Sequence, residues 1–142
     1  MGPTHADDAL HTYRTLLYTA RRLRRSVNAI LKEHALTGAQ FALLNASPPE
    51  GIPLTQLASL SWADPGNVSG IVDRLESAGW VERQRSEDDR RVVLIRLSER
   101  GRAILPQLRP QHRTAVARAF AALSAEDMKQ LRDLLARITL DA

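Results

Sequence analysis

The sequence predicts a mainly α-helical protein with a small β-hairpin, and three observations support that fold class. Apolar residues recur at helical spacing over most of the 142 residues. Residues 81–97 instead contain two short runs of strand-forming residues around a polar tip. Aromatic residues make up only 4% of the chain, so we expect a core of Leu, Val, Ile and Ala.

The N-terminal region is predicted to be a loose tail over residues 1–7 and one long helix over about residues 8–34. The helix has one apolar face, made of Leu10, Tyr13, Leu17, Ala20, Val27, Ile30 and Leu31. Its other faces are crowded with Arg14, Arg21, Arg22, Arg24 and Arg25. Such a run is typical of a solvated helix face, and the alternative is long-range attraction to DNA phosphates.

Two short helices are predicted next. Thr37 and Gln40 have the spacing of a capping box, which predicts a helix with Phe41, Leu43 and Leu44 facing inward. The polar stretch 47–51 predicts a loop. A second helix with apolar Leu54, Leu57, Ala58 and Leu60 is expected to end near Trp62.

The helix that starts at residue 64 has clear end signals. Asp64 can accept a backbone N–H of the first turn, and Pro65 suits the first helical position. The apolar stripe of this helix is Val68, Ile71, Val72, Leu75 and Ala78. Gly79 then favours a left-handed end. Two short helices joined by a tight turn indicate a helix-turn-helix.

The opposite face of this helix carries only small or polar residues, namely Gly66, Asn67, Ser69, Gly70, Asp73, Arg74 and Ser77. A solvated face normally prefers long helix formers, and each glycine costs about 1 kcal/mol relative to alanine. The face is therefore either a poor surface helix or a surface that lies flush in a DNA major groove.

The hairpin favours the DNA interpretation. Its strands are predicted at residues 81–85 and 91–97, with a polar tip at residues 86–90. The ribbon carries Arg83, Arg85, Arg90 and Arg91, and a narrow, negative minor groove attracts arginines on a slender loop. A helix for one groove and a basic hairpin for the next is a winged-helix arrangement.

Two further helices are predicted after the hairpin. Ser98 caps the first, which extends to about Ala122 and should kink or break at Pro106 and Pro110. Ser124 caps the second, whose apolar stripe is Met128, Leu131, Leu134, Leu135 and Ile138. Long apolar stripes in so small a chain often pack against a second copy, so we expect a homodimer.

Composition narrows the function classes. The net charge of +4 and pI of about 10.3 modestly favour a nucleic-acid partner. Without cysteine there is no disulfide framework, thiolate metal site or thiol redox sensor. No apolar run could span a bilayer and the first residues lack the apolar segment of a signal peptide, so we expect a cytoplasmic protein without membrane association.

Several segments, in order and at matching spacing, resemble the MarR family of winged-helix transcriptional regulators over nearly the whole chain. The resemblance is carried by LTGAQFALL at 36–44, VDRLE at 72–76, GWVER at 79–83, DRR at 89–91, and Leu97, Ser98 and Gly101. The chain departs from the family pattern at Ser61, Trp62 and Gly70.

The resemblance implies a single domain over residues 1–142. Helices at 8–34 and 98–142 would form an obligate dimer, and residues 37–97 would form the winged helix-turn-helix lobe that binds double-stranded DNA. It also implies base reading by Gly66, Asn67, Ser69 and Gly70, and a wing-tip Arg91 held by Asp89 in the minor groove. The full predicted DNA-binding set is Pro65, Gly66, Asn67, Ser69, Gly70, Arg74, Arg85, Asp89, Arg90 and Arg91.

Dimer contacts and a small-molecule site are predicted outside that lobe. The dimer interface is expected to contain Leu10, Val116, Phe120, Leu131, Leu134, Leu135 and Ile138. By resemblance, a small aromatic or phenolic effector would bind between the dimer helices and the lobe and release the DNA. Its pocket is predicted to contain Tyr13, Leu17, Phe41 and Trp62.

Three other functions fit the sequence less well. An enzyme is disfavoured because no phosphate loop, nucleophile elbow or HExxH motif is present, and Asp88 and Asp89 lie on an exposed tip. A metal-responsive regulator is disfavoured because the four histidines form no ligand pair at helical spacing, so no metal or cofactor is expected. A winged-helix dimer that acts through protein contacts remains an alternative, against which the wing arginines argue.

Overall fold

The computed structural model describes residues 2–60 and 65–138. The helices are α1 His5–Val27, α2 Gly38–Ala46, α3 Leu54–Leu60, α4 Pro65–Ser77, α5 Glu99–Ala119 and α6 Ala125–Ala136, with a 3-10 helix at Asn28–His34. The strands are β1 Ile52–Pro53, β2 Val81–Arg85 and β3 Val93–Leu97. The predicted fold class, mainly helical with a small hairpin, is confirmed.

The N-terminal helix differs from the prediction at both ends. It starts at His5 because Thr4 and Asp7 form a capping box, so residues 5–7 are not a tail. It ends at Val27 and continues as a 3-10 helix rather than as one long α-helix. The tighter helix repeats every three residues, which places Asn28, Leu31 and His34 on one inward face. Apolar spacing alone did not distinguish the two helix types.

The sheet has three strands, in the order β1-β3-β2, where the sequence predicted two. Ile52 pairs with Ile95, so the lead-in to α3 is the third strand. β2 has its predicted bounds, whereas β3 begins at Val93 instead of Arg91. We call residues 81–97 the wing and residues 86–92 the wing tip.

The core is formed by the sheet together with the 3-10 helix and helices α2 to α5. Residues buried in it come from the 3-10 helix and from α2 to α5, including Leu31, Phe41, Leu43, Leu44, Leu57, Val72, Leu75, Trp80, Ile95 and Leu105. The predicted inward residues of α2 are therefore confirmed. In α3, Leu57 is buried, but the predicted Leu60 is exposed. Ala78 lies exposed in the turn after α4 instead of in its apolar stripe.

The last two helices begin at their predicted caps, since Ser98 accepts from the Gly101 N–H and Ser124 from the Asp127 N–H. Helix α5 is unbroken from Glu99 to Ala119, so the predicted break at its two prolines is wrong, as is the extension to Ala122. Pro106 and Pro110 are both exposed, and four residues apart they lie on one solvent-facing side, where water can satisfy the freed carbonyls. A bend there stays a prediction.

Predictions for residues 61–64 lie outside the described residues. They concern the Asp64 cap, the end of α3 near Trp62 and the departure at Ser61. Within the described ranges, no helix is both long and apolar enough to cross a membrane.

Candidate nucleic-acid interface

Helix α4 buries one face and leaves the other open. Val68, Ile71, Val72 and Leu75 pack into the core, as their spacing predicts. The predicted reading residues Gly66, Asn67, Ser69 and Gly70 are all exposed, as is Arg74. Pro65 is the first residue of the helix, as predicted.

Gly70 leaves open space beside α4. A Cβ built at Gly70 would meet no atom within 4 Å, so no packing contact within the described protein requires a glycine there. Gly66, Ser69 and Gly70 add little bulk to the exposed face of α4, which also carries Asn67 and Arg74. The small-residue face predicted from the sequence is therefore present and accessible.

The wing tip holds one arginine in a fixed position. Arg91 donates from Nε to Asp89 Oδ1 at 3.2 Å and from Nη2 to Oδ2 at 3.3 Å. The Arg91 backbone N–H also donates to Asp89 Oδ1, at 3.0 Å. These bonds favour the carboxylate and lower the pKa of Asp89. The Arg91 side chain nevertheless remains 92% exposed, so its guanidinium is oriented but accessible.

Arg85, the last residue of β2, and Arg90, in the wing tip, make different contacts. Arg85 donates from Nη1 to the Arg90 carbonyl at 2.8 Å, which ties strand β2 to the far side of the tip. Arg85 thus stabilises the loop that carries Arg91, a contact that the sequence did not indicate. Arg90 is exposed and contributes its carbonyl to this bond.

Arg83 joins the wing to α4 and was absent from the predicted site. Its Nη2 lies 2.5 Å from Asp73 Oδ1, and its Nη1 lies 3.4 Å from Glu76 Oε1. The acids are three residues apart and therefore share one side of α4. Two carboxylates on one side of a helix that faces a basic strand are the signal that could have revealed this link.

A crevice of about 330 Å³ lies between the first turn of α2 and the open face of α4. Thr37 and Gln40 contribute to its lining from α2, and Asn67, Gly70 and Arg74 from α4. The capping box of α2 is formed, with the Gln40 N–H donating to Thr37 Oγ1 at 3.1 Å. A helix start and a cation beside a small-residue face are groups that bind phosphate oxygens. Sequence reasoning assigned Thr37 and Gln40 only a capping role.

The predicted effector residues lie in different environments. Phe41 is buried, and its ring centroid is 4.7 Å from that of His112 on α5. Tyr13 and Leu17 are exposed on α1, and Trp62 lies outside the described residues. The effector pocket therefore stays a prediction.

Large apolar side chains are exposed on the terminal helices. They include five of the predicted dimer residues, namely Leu10, Leu131, Leu134, Leu135 and Ile138. Val116 on α5 and Phe120, which follows the last residue of α5, are half-buried within the chain. Helix α6 contributes no buried residue to the described structure.

Two of the four histidines contact aromatic rings. His112 meets Phe41, and His34 meets the edge of Trp80 at 6.2 Å between ring centroids. Trp80 is buried in the core, as predicted. Among residues 2–60 and 65–138, no group of three or more His, Asp or Glu side chains could hold a metal ion.

Comparisons with known proteins match this geometry. The MarR family model matches residues 36–93. The HTH-type transcriptional regulator YkoM of Bacillus subtilis is 30% identical over 128 residues, which cover 89% of this chain and 83% of that protein. The structure of Sco3205, a MarR family transcriptional regulator from Streptomyces coelicolor in complex with DNA, is 26% identical with a TM-score of 0.78, covering 96% of this chain and 87% of that one. A mutant MarR from Escherichia coli complexed with operator DNA is 26% identical with a TM-score of 0.81, covering 97% and 100%.

An open helix face beside a basic hairpin defines a winged-helix DNA-binding protein. With these matches, the chain belongs to the MarR family of transcriptional regulators. Members of this family are DNA-binding proteins and not enzymes, which confirms the predicted function class.

Proposed function

We propose that this chain is a homodimeric repressor that binds a palindromic DNA operator, with α4 in the major groove and the wing in the minor groove. The observation that carries the proposal is the exposed Arg91, held by Asp89 at the tip of a wing that Arg83 joins to α4. A guanidinium that is already oriented loses less conformational entropy on binding. A narrow minor groove concentrates negative potential and therefore attracts it.

The remaining DNA contacts divide by position. Asn67 and Ser69 lie on the open face of α4 and can reach base edges, since Gly66 and Gly70 add no bulk there. Arg74 lines the crevice next to α2 and is suited to a phosphate oxygen, as is the exposed Arg90. Arg85 contributes indirectly by holding the tip.

Exposed apolar side chains on α1 and α6 support a dimer. Soluble monomers rarely expose large apolar patches, and a second copy of the chain could cover these side chains. A two-fold dimer would present two α4 helices and two wings, which matches a palindromic operator with half-sites about one helical turn apart. Residues 8–34 and 98–142 are proposed as the dimerisation region, and residues 37–97 as the DNA-binding lobe.

Release by a small aromatic or phenolic effector is the part of the proposal that rests on the family resemblance. The proposed site lies between the dimer helices and the lobe, near Tyr13, Leu17, Phe41 and Trp62. A thermal-shift screen against aromatic acids and phenols tests it, because a ligand of the folded state raises the melting temperature. A true effector should also reduce the affinity for operator DNA.

The operator can be selected from a pool of randomised duplexes and then titrated by fluorescence anisotropy at several salt concentrations. We expect tighter binding to the selected duplex than to a scrambled one, and an affinity that falls as salt rises. Transcription in vitro from a promoter that carries the selected site tests repression. Absence of any duplex binding would favour a dimer that acts through protein contacts, and a requirement for added zinc would favour a metal-responsive regulator.

A further inference from the structure

The turn that ends α4 is bound by the first turn of α5. All three carbonyls of residues 78–80 accept hydrogen bonds from that segment. The Ala78 carbonyl accepts from Arg100 Nη1 at 2.5 Å, and the Gly79 carbonyl accepts from Ser98 Oγ at 2.5 Å. The Trp80 carbonyl accepts from the Ser98 backbone N–H at 3.0 Å. The end of the proposed recognition helix therefore rests on the start of the longest C-terminal helix.

The conformation of the turn leaves its last carbonyls without a donor from α4. Gly79 has a φ of +79°, and its N–H donates to the Glu76 carbonyl at 3.0 Å. The Trp80 N–H donates to the Leu75 carbonyl at 2.9 Å, which completes a Schellman motif. These bonds satisfy carbonyls inside α4, whereas the next carbonyls point out of the helix. In this fold, α5 supplies their donors.

Arg100 supplies the side-chain cation in this contact. Its Cζ lies 4.2 Å from the centroid of the Trp80 ring while its Nη1 binds the Ala78 carbonyl. The guanidinium therefore has two partners, the Trp80 ring and the Ala78 carbonyl. A positive charge at this point also interacts favourably with the negative end of the α4 dipole.

The turn at residues 78–80 and the first turn of α5 are in close contact. A Cβ at Gly101 would lie 2.5 Å from the Trp80 carbonyl oxygen, a backbone atom that cannot easily move aside. Only glycine allows α5 to start this close to the turn. A shift of α5 would therefore displace the end of α4.

We propose that Arg100 is a positioning residue for DNA recognition. It does not read DNA itself but fixes the end of α4, and so the angle at which the open face of α4 meets the major groove. This proposal rests on the proposed DNA-binding function. It predicts that loss of Arg100 reduces the preference for the operator more than it reduces the general attraction to DNA.

The test compares Arg100→Ala with Arg102→Ala, which removes an equal exposed charge two residues further along α5. Each variant is titrated on the duplex selected with the wild-type protein and on a scrambled duplex of the same length. We expect Arg100→Ala to weaken operator binding about tenfold, the effect of about one mismatched base pair. Scrambled-duplex affinity and the salt dependence should stay at wild-type values, as should all binding by Arg102→Ala.

Other outcomes overturn the proposal in distinguishable ways. An equal loss on both duplexes with a weaker salt dependence would make Arg100 a direct phosphate contact. A lower melting temperature with unchanged operator affinity would make it a purely structural residue. Failure of the wild-type protein to bind any duplex would instead refute the proposed function.

A second pair of variants keeps the test informative if Arg100→Ala folds poorly. Arg100→Lys and Arg100→Met both keep a long stem against Trp80, but only lysine can donate to the Ala78 carbonyl and place a cation on the ring. We expect Arg100→Lys to keep most of the operator affinity and Arg100→Met to lose it. Equal operator affinity of the two variants would refute the proposal.

Discussion

The lobe formed by residues 37–97 and the terminal helices α1 and α6 differ in how much of their apolar surface this chain covers. In the lobe, side chains such as Leu43, Leu57 and Val72 are inaccessible to solvent. In α6 no described residue is buried, and in α1 only Val27 is. The same kind of amphipathic pattern is therefore buried in the first region and left exposed in the second.

The largest effect is expected from a negative charge on the exposed apolar face of α6. Leu134 is 57% exposed, so Leu134→Glu should hardly affect the fold of the isolated chain. In a dimer it would bury an unpaired carboxylate, at a cost of several kcal/mol. We expect sedimentation to show the variant as a monomer at concentrations where the wild-type protein is a dimer.

Gln130→Glu is the matched control, because it adds the same single negative charge at an exposed polar position of α6. It should remain a dimer. An intact and equally stable Leu134→Glu dimer would show that the stripe of α6 lies outside the interface.

In the proposed DNA-binding lobe, Gly70→Glu is the corresponding substitution, because it also places a carboxylate on an exposed helix face. It adds bulk and negative charge to a face that has open space above it, so the melting temperature should change little. Against DNA phosphates the added carboxylate should cost several kcal/mol, which abolishes operator binding in an anisotropy titration. Glu99→Gln, at an exposed site on α5, is a folded control that should bind normally. Normal binding by Gly70→Glu would mean that α4 uses another face.

A smaller effect is expected at the wing tip. Arg91→Ala should weaken operator binding by about 1–3 kcal/mol, the scale of one good groove contact. Asp89→Ala should cost less, because it removes the support but leaves the cation. Both variants should keep the wild-type melting temperature, since the exposed tip buries little surface.

Arg90→Ala tests which of the two neighbouring arginines at the wing tip enters the minor groove. Titrated on the same operator duplex at fixed salt, it should lose less affinity than Arg91→Ala, because no described carboxylate orients the Arg90 guanidinium. A larger loss for Arg90→Ala would show that Arg91 is not the residue that enters the groove.

The smallest expected effect concerns the contact between α5 and the lobe. Burial against Phe41 lowers the pKa of His112, so the folded protein resists protonation there. The stabilisation that neutral His112 gives to the folded state is fully present above the ordinary histidine pKa of about 6.5. It is lost as the pH falls towards the lowered pKa of the folded state. We expect the wild-type melting temperature to fall more between about pH 7.5 and 5.5 than that of His112→Gln.

His5→Gln, at an exposed position near the start of α1, is the control and should keep the wild-type pH response. Identical responses of His112→Gln and the wild-type protein would show that this contact is insensitive to protonation.

The sequence predicted best what depends on neighbouring residues. The caps at Thr37, Ser98 and Ser124 and the Asp89–Arg91 pair each join residues at most three apart, and all are present. Contacts between distant segments were missed, since no local pattern indicates them. Strand β1 exists only because Ile52 pairs with Ile95, and Arg83 reaches back ten residues to Asp73.

The errors in helix bounds have a related cause. A 3-10 helix and an α-helix place apolar residues at overlapping spacings, so residues 28–34 could not be distinguished from the rest of α1. The prolines of α5 were predicted to break it because their exposure, which decides whether water can satisfy the lost bonds, depends on the packed fold.

Strand β1 also bears on how the protein avoids aggregation. Because β3 is the middle strand, β1 and β2 form the two edges at which a foreign strand could add. One edge is only two residues long and ends in Pro53, which has no N–H to donate. The other carries the exposed, mostly charged side chains of residues 82–85. A small sheet with a truncated edge and a charged edge therefore resists edge-to-edge pairing with other copies of the chain.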